Sequence, residues 1–207
     1  MTVIEQNRRA QRNPEATRAS IMEAAEGLFV AKGFAATSMS DIASAAGVTK
    51  SLIHHHFGSK EELWTEVKRE RVSHWASVQR ELIAHGDTNE QVLRQSIETL
   101  FHFLQDNPEF VRLRAWMNLE DPRLAEAAYP EILTLGLERI REQQKRGRIR
   151  ADIEPRHIVV LFVAMCTQWF MSRASWLTPL DDEQRRTEDQ AYLDGLLTVF
   201  FEGVRPR

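Results

Sequence analysis

Residues 37–60, TSMSDIASAAGVTKSLIHHHFGSK, constrain this chain more than any other stretch. Two short apolar runs flank a glycine, and each begins with a residue able to cap a helix. Ser38 caps the first, which runs to about Ala46, and Asp41 sits three residues on, where a carboxylate favours the positive end of a helix. Ile42 with Ala43, Ala45 and Ala46 gives that helix a narrow apolar face. Gly47 ends it, because the backbone there must take positive φ, and Val48 plugs the corner. Thr49 opens a second helix to about His56. Gly58 closes that one, and Ser59 with Glu62 forms a capping box for a longer third helix. Helix, glycine turn, helix is the helix-turn-helix unit. Its second helix carries Thr49, Lys50, Ser51, Leu52 and His54 on or near an exposed face, groups suited to base edges in a major groove.

A bare helix-turn-helix pattern is weakly specific, but this one comes with more. KGF at 32–34, Thr37, DIA at 41–43, AAGV at 45–48 and HHF with KEEL at 55–57 and 60–63 follow a helix bearing Ile21, Ala24, Ala25, Leu28 and Phe29. With those motifs at those spacings, the run from about Thr17 to Glu70 resembles the N-terminal DNA-binding domain of the TetR family of bacterial transcriptional repressors. The resemblance implies an all-α chain of about nine helices. A three-helix DNA-binding domain would stand at the N-terminus, and a helical domain for ligand binding and dimerisation would follow. It implies a homodimer on palindromic double-stranded operator DNA, released by a small-molecule effector. Two positions depart from the family: His54 stands where it usually has Tyr, and Leu52 where it more often has a small or polar residue. Both bear on which operator is read.

The DNA-binding candidates follow. Thr37 and Ser38 lie at a helix N-terminus, where hydroxyls and free N–H groups suit a phosphate, a role compatible with capping. Lys50 and Lys60 are candidates for phosphate or base contacts. Thr49, Ser51 and Leu52 are candidates for base edges, with Leu52 able to meet a thymine methyl. By resemblance, His54 and His55 lie near the DNA backbone and Phe57 is core. The run of three histidines invites a metal, but consecutive helical residues point about 100° apart and do not converge on one ion, so no metal is expected.

Charge supports this reading only through its distribution. The whole chain carries −3, yet residues 1–60 hold seven Lys and Arg against five Asp and Glu, leaving −5 for the rest. Phosphate affinity follows the local balance. Residues 1–13 are polar with Arg8, Arg9 and Arg12, and are either a frayed end or a basic arm lying along DNA. Arg18 is either a phosphate contact or solvated. The organisation expected is an arm over 1–13, a DNA-binding domain over 14–60, a linking helix over 59–85 and an effector and dimerisation domain over 61–207. The linking helix, roughly 36 Å long, joins the domains without a flexible tether.

Beyond it, Asn107-Pro108, Asp121-Pro122 and Tyr129-Pro130 mark helix starts, His85-Gly86-Asp87 marks a break, and no strand alternation is visible. Helices are expected at Val92–Leu104, Glu109–Leu119, Glu131–Lys145, after Asp152–Pro155, and over Glu183–Gly203. The eighth is apolar nearly all round from Ile158 to Phe170 and needs cover on several sides. Its Phe162, Met165 and Trp169, with Leu193, Leu196, Leu197 and Phe200 of the last helix, form either a dimer interface or a monomer core; the resemblance implies the four-helix dimer seam. At about 13 residues the apolar run is short of a membrane span, and no secretion signal opens the chain, so a cytoplasmic protein without a membrane partner is expected.

An apolar or amphipathic effector would need a cleft with a few polar handles. The candidates are Phe103, Arg112, Trp116, Met117, Cys166, Trp169 and Arg173, with Tyr129, Met171, Trp176, His102, Arg114 and Gln168 as further ones. Each aromatic or Met is also an ordinary core residue. No nucleophile elbow, phosphate loop or zinc motif is present, and Cys166, the single cysteine, lies in an apolar helix without an adjacent base. No catalytic residue and no cofactor are expected. The alternative function is a helical DNA-binding protein that is non-specific or effector-independent.

Overall fold

The computed structural model describes residues 13–85, 90–120, 130–177 and 180–206. Among them are nine helices and no strand: α1 Pro14–Lys32, α2 Met39–Ala46, α3 Lys50–Phe57, α4 Lys60–His85, α5 Glu90–Asp106, α6 Pro108–Glu120, α7 Pro130–Lys145, α8 Pro155–Trp176 and α9 Asp182–Val204. The all-α expectation holds. The arginines of the N-terminal arm, Tyr129, the Asp121-Pro122 helix start and the Gly86-Asp87 break lie outside the described residues.

The chain forms two compact units. The first contains described residues 13–73 and 112–120, and the second 74–85, 90–111, 130–177 and 180–206. The division therefore falls inside α4, after Ser73, and inside α6, which lends its C-terminal part to the first unit.

The first unit is built on α1. Asn13 caps it by accepting from the Ala16 N–H at 3.1 Å, and Pro14 occupies the first turn, where a missing N–H costs nothing. Ile21, Ala25 and Phe29 recur at helical spacing and are fully buried, together with Ile42, Ile53 and Trp64 from the helices that follow. Phe29 meets Trp64 edge-on at 4.7 Å. The last helix of the unit enters through Trp116, whose indole N–H donates to the Val30 carbonyl at 3.3 Å.

In the second unit α8 packs on α5, α7 and α9, and α9 packs on α5. Phe101 lies at the centre, with Phe170 at 4.7 Å and Tyr192 stacked at 6.2 Å. The loop between α7 and α8 is tied down by Gln144, which donates to the carbonyls of Arg150 and Ile153, and by Arg150, which grips Asp152 and the Gly203 carbonyl. α8 has 22 residues and is by length and composition alone apolar enough to cross a membrane. The apolar run from Ile158 to Phe170 is the central part of this helix, which extends beyond it to Pro155 at one end and Trp176 at the other.

Candidate functional site

The helix-turn-helix is held by local bonds that its sequence dictates. Ser38 and Asp41 form a reciprocal capping box: the Asp41 N–H donates to the Ser38 hydroxyl at 3.1 Å, and the Ser38 N–H donates to the Asp41 carboxylate at 3.1 Å. Asp41 also receives the Lys32 ammonium at 2.8 Å. The Lys32 hydrogen bond first, and then those from Ser38, hold its carboxyl down at about 2. Gly47 takes φ 65°, and its N–H and that of Val48 turn back to the end of α2, donating to Ser44 and Ala43. Thr49 then caps α3 by accepting from the Leu52 N–H at 3.3 Å.

With both ends fixed, α3 buries Ile53 and Phe57 and leaves Thr49, Lys50, Ser51, His54 and His55 exposed, with Leu52 half-buried. Gly58, at φ 75°, closes the helix. A Cβ there would sit 2.1 Å from Glu62 Oε2, because that carboxylate folds back to accept from the Ser59 N–H at 2.7 Å. The same N–H lowers the Glu62 pKa. His54 Nδ1 lies 2.6 Å from the Gly58 carbonyl. Among the described residues no three His, Cys, Asp or Glu side chains converge to hold a metal.

Three basic or hydroxyl candidates are engaged by partners within the protein. Thr37 is 1% exposed, and its hydroxyl donates to the Gly33 carbonyl at 2.7 Å, so that hydroxyl is enclosed and not presented to a phosphate. Lys60 donates to the Phe34 and Thr37 carbonyls, both at 2.9 Å, and its ammonium lies 4.1 Å from the Phe34 ring centroid. Its ammonium thus serves the protein corner. Arg18 pairs with Glu66 at 3.2 Å and lies over the Phe57 ring. Ser38 remains exposed at the start of α2.

The effector candidates do not gather into one place. Trp116 and Met117 pack in the first unit, and Arg112 is exposed there. Phe103 packs edge-on against Phe110 at 5.1 Å. Cys166 is fully buried, and burial pushes its thiol up to about 12. Trp169 stacks on Tyr192 at 4.1 Å and donates to Asp189 at 2.7 Å. Arg173 also donates to Asp189, as does Gln105 at 3.0 Å. That buried carboxylate, 1% exposed, was missed in the sequence. Its signal was register: Asp189 precedes Leu193 by one helical turn on the apolar face of α9, and Trp169 and Arg173 are one turn apart on α8.

A cavity does exist elsewhere in the second unit, with about 650 Å³ between atoms including its mouth. Its apolar walls are Ile83 of α4, Val92 and Leu93 of α5, Ile140 of α7, and Val159 and Phe162 of α8. Its polar members include Gln79, Ser96, Arg139 and Gln143. None of the seven principal effector candidates is among its described lining residues. Aromatics and methionines drew the sequence reading to the core, whereas aliphatic side chains on facing helices make this space.

The interface candidates also divide. Leu193, Leu196, Leu197 and Phe200 are buried within the single chain, so they belong to the protomer core. Phe162, Met165 and Trp169 are half-buried. The exposed apolar residues of α8 and α9 are others: Val160, Leu161, Met171, Trp176 and Val199.

Comparison with known proteins agrees with this architecture. Residues 21–67 match the family model of bacterial regulatory proteins of the tetR family, and residues 93–194 match the tetracyclin repressor-like C-terminal domain. The HTH-type transcriptional repressor SCO4008 of Streptomyces coelicolor is 30% identical over 159 residues, which cover 75% of this chain and 79% of that protein. The HTH-type transcriptional activator FasR of Mycolicibacterium smegmatis is 35% identical over 108 residues, 52% of this chain, and the match spans 49% of FasR's own length. A TetR family transcription regulator from Marinobacter aquaeolei superposes with a TM-score of 0.70 at 17% identity, covering 95% of this chain and 100% of that one. The chain belongs to the TetR family of DNA-binding transcriptional regulators.

Proposed function

We propose that this chain is a cytoplasmic repressor that binds a palindromic operator as a homodimer and leaves it when a small apolar or amphipathic molecule enters the cavity of the second unit. The observation that carries the DNA half is α3, capped at Thr49 and closed at Gly58, with Thr49, Lys50, Ser51, His54 and His55 on its open face. One such helix reads too few bases to be selective, and two on a symmetric site double the contacts. Repression is preferred to activation because the match to the Streptomyces repressor extends over more of both chains than the match to FasR.

The effector half rests on α4. Its first residue, Lys60, is tied to Phe34 and Thr37, and further along it Gln79 and Ile83 line the cavity. A molecule that shifts α4 at the cavity biases the DNA-reading end through one helix. DNA and effector then weaken each other's binding by the same factor. The dimer seam is proposed on the exposed apolar stripe of α8 with Val199 of α9, which removes the need for a membrane to cover α8. Catalysis has no part in this cycle.

Selection of random duplex DNA on the purified protein tests the reading. The expected result is an enriched palindrome bound by two chains, weakened by Lys50→Ala. Binding that varies with salt and not with sequence would support effector-independent, non-specific DNA binding instead.

A further inference from the structure

The cavity holds one group that its apolar walls do not explain. Gln143 lines it and is 7% exposed, yet neither its Nε2 nor its Oε1 has a hydrogen-bond partner among the described residues. A buried amide with both ends unmade is destabilising, where a leucine of similar size would not be. The other polar wall groups are engaged: Gln79 donates to the Ser96 carbonyl at 2.8 Å, and Arg139 pairs with Glu142 at 3.8 Å. Gln143 itself is anchored, because its backbone carbonyl accepts from the N–H groups of Arg148 at 3.0 Å and Ile149 at 3.4 Å at the closing turn of α7. It is a fixed donor and acceptor set among aliphatic side chains.

We infer that Gln143 is the specificity-determining residue of this cavity, and that the molecule it takes carries a neutral group able both to donate and to accept, a primary amide or lactam, on an apolar body. The inference rests on the reading of this cavity as the effector site. An amide meeting Gln143 head to head satisfies both of its ends. An ester or ketone offers an acceptor alone and leaves Oε1 unmade. A carboxylate also offers acceptors alone and carries a charge into a site whose guanidinium is already paired.

Octanamide, methyl octanoate and sodium octanoate share one acyl chain and differ only in the head group. Calorimetric titration of the full chain with each, for the wild type, Gln143→Leu and Gly136→Leu, tests the inference. Gly136 lines the cavity, and a Cβ there meets nothing within 4 Å, so leucine fills the space without a clash at its root. Octanamide is expected to bind the wild type at least about tenfold tighter than the other two. Gln143→Leu should erase that preference, because the amide loses two hydrogen bonds where the ester loses one, so amide affinity falls further. Gly136→Leu should weaken every probe. An amide preference that survives Gln143→Leu, or no preference in the wild type, overturns the role of Gln143 and leaves the cavity standing. Octanamide bound undiminished by Gly136→Leu overturns the cavity as the site, and the role of Gln143 with it. Gln143→Met gives the same readout if the leucine variant fails to fold by circular dichroism.

Discussion

Lys60 donates a 2.9 Å hydrogen bond to the carbonyl of Thr37, 23 positions earlier in the chain, and a second of the same length to Phe34. The first residue of α4 thus holds the turn that leads into α2. The sequence places a lysine here beside the DNA-reading helix, where a phosphate contact is the natural expectation. The geometry gives the ammonium an internal task, bridging the carbonyls of Phe34 and Thr37 in the segment between α1 and α2.

Lys60→Met separates the two roles. Losing two charge-assisted bonds is expected to cost about 1–3 kcal/mol of stability, measured by urea denaturation. The slope of operator affinity against salt should stay as in the wild type, because no phosphate partner is removed. A slope reduced by about one with stability unchanged would return Lys60 to the DNA.

Lys50 and Leu52 give the complementary case on α3. Lys50 is exposed and Leu52 half-buried. Lys50→Ala is expected to weaken binding across all duplexes and to lower the salt slope by about one. Leu52→Ala should leave the slope intact and relax preference at a single base pair, with a loss of about 1–3 kcal/mol on the selected site only. Competition titrations at two salt concentrations distinguish the two patterns.

Asp41 predicts an acid limit for the same unit. Its carboxyl lies at about 2 in the folded chain against a reference of 3.8, held down by the hydrogen bond from Lys32 and those from Ser38. A depressed carboxylate stabilises fully above its unfolded pKa and loses that contribution as pH falls through the folded one. The contribution of Asp41 should therefore be complete above about pH 4 and vanish between there and about pH 2. Urea titrations across that window should show a steeper loss for the wild type than for Asp41→Asn.

The caps, the glycine turn and the apolar spacing made the first unit legible residue by residue, because each is a local rule that neighbours in sequence obey. Ser38, Gly47, Thr49 and Gly58 all stand where those rules put them. The second unit was legible as helices and not as a site. Its cavity depends on how Ile83, Leu93, Ile140 and Val159 face one another from four helices, and no local pattern carries that. Gln143 lies at the end of a helix rich in Glu, Arg and Gln, where the sequence suggests a solvated surface. Its burial is set by tertiary packing alone. The leucines of α9 are buried within the single chain, which the sequence does not specify for a related reason: an apolar stripe states that a face is covered, and not by which chain.

α8 supplies the last prediction. Its exposed positions His157, Val160, Leu161, Ala164, Gln168 and Met171 fall within about 100° of the helix circumference and so form one face, opposite the buried Cys166. Val160 is 61% exposed and Leu161 48% in the single chain, an apolar surface that invites a partner. A second copy meeting this face across a two-fold axis would bring Val160 and Leu161 against their own counterparts. Leu161→Glu then places like charges together in a desolvated seam. Sedimentation velocity should show monomers where the wild type sediments as a dimer, and operator affinity should fall by about tenfold or more as one half-site is lost. Leu196→Ala is the control. That residue is 3% exposed within the protomer, so its truncation should cost about 2–5 kcal/mol of stability while the folded fraction still dimerises. A Leu161→Glu protein that remains a dimer would move the seam away from α8.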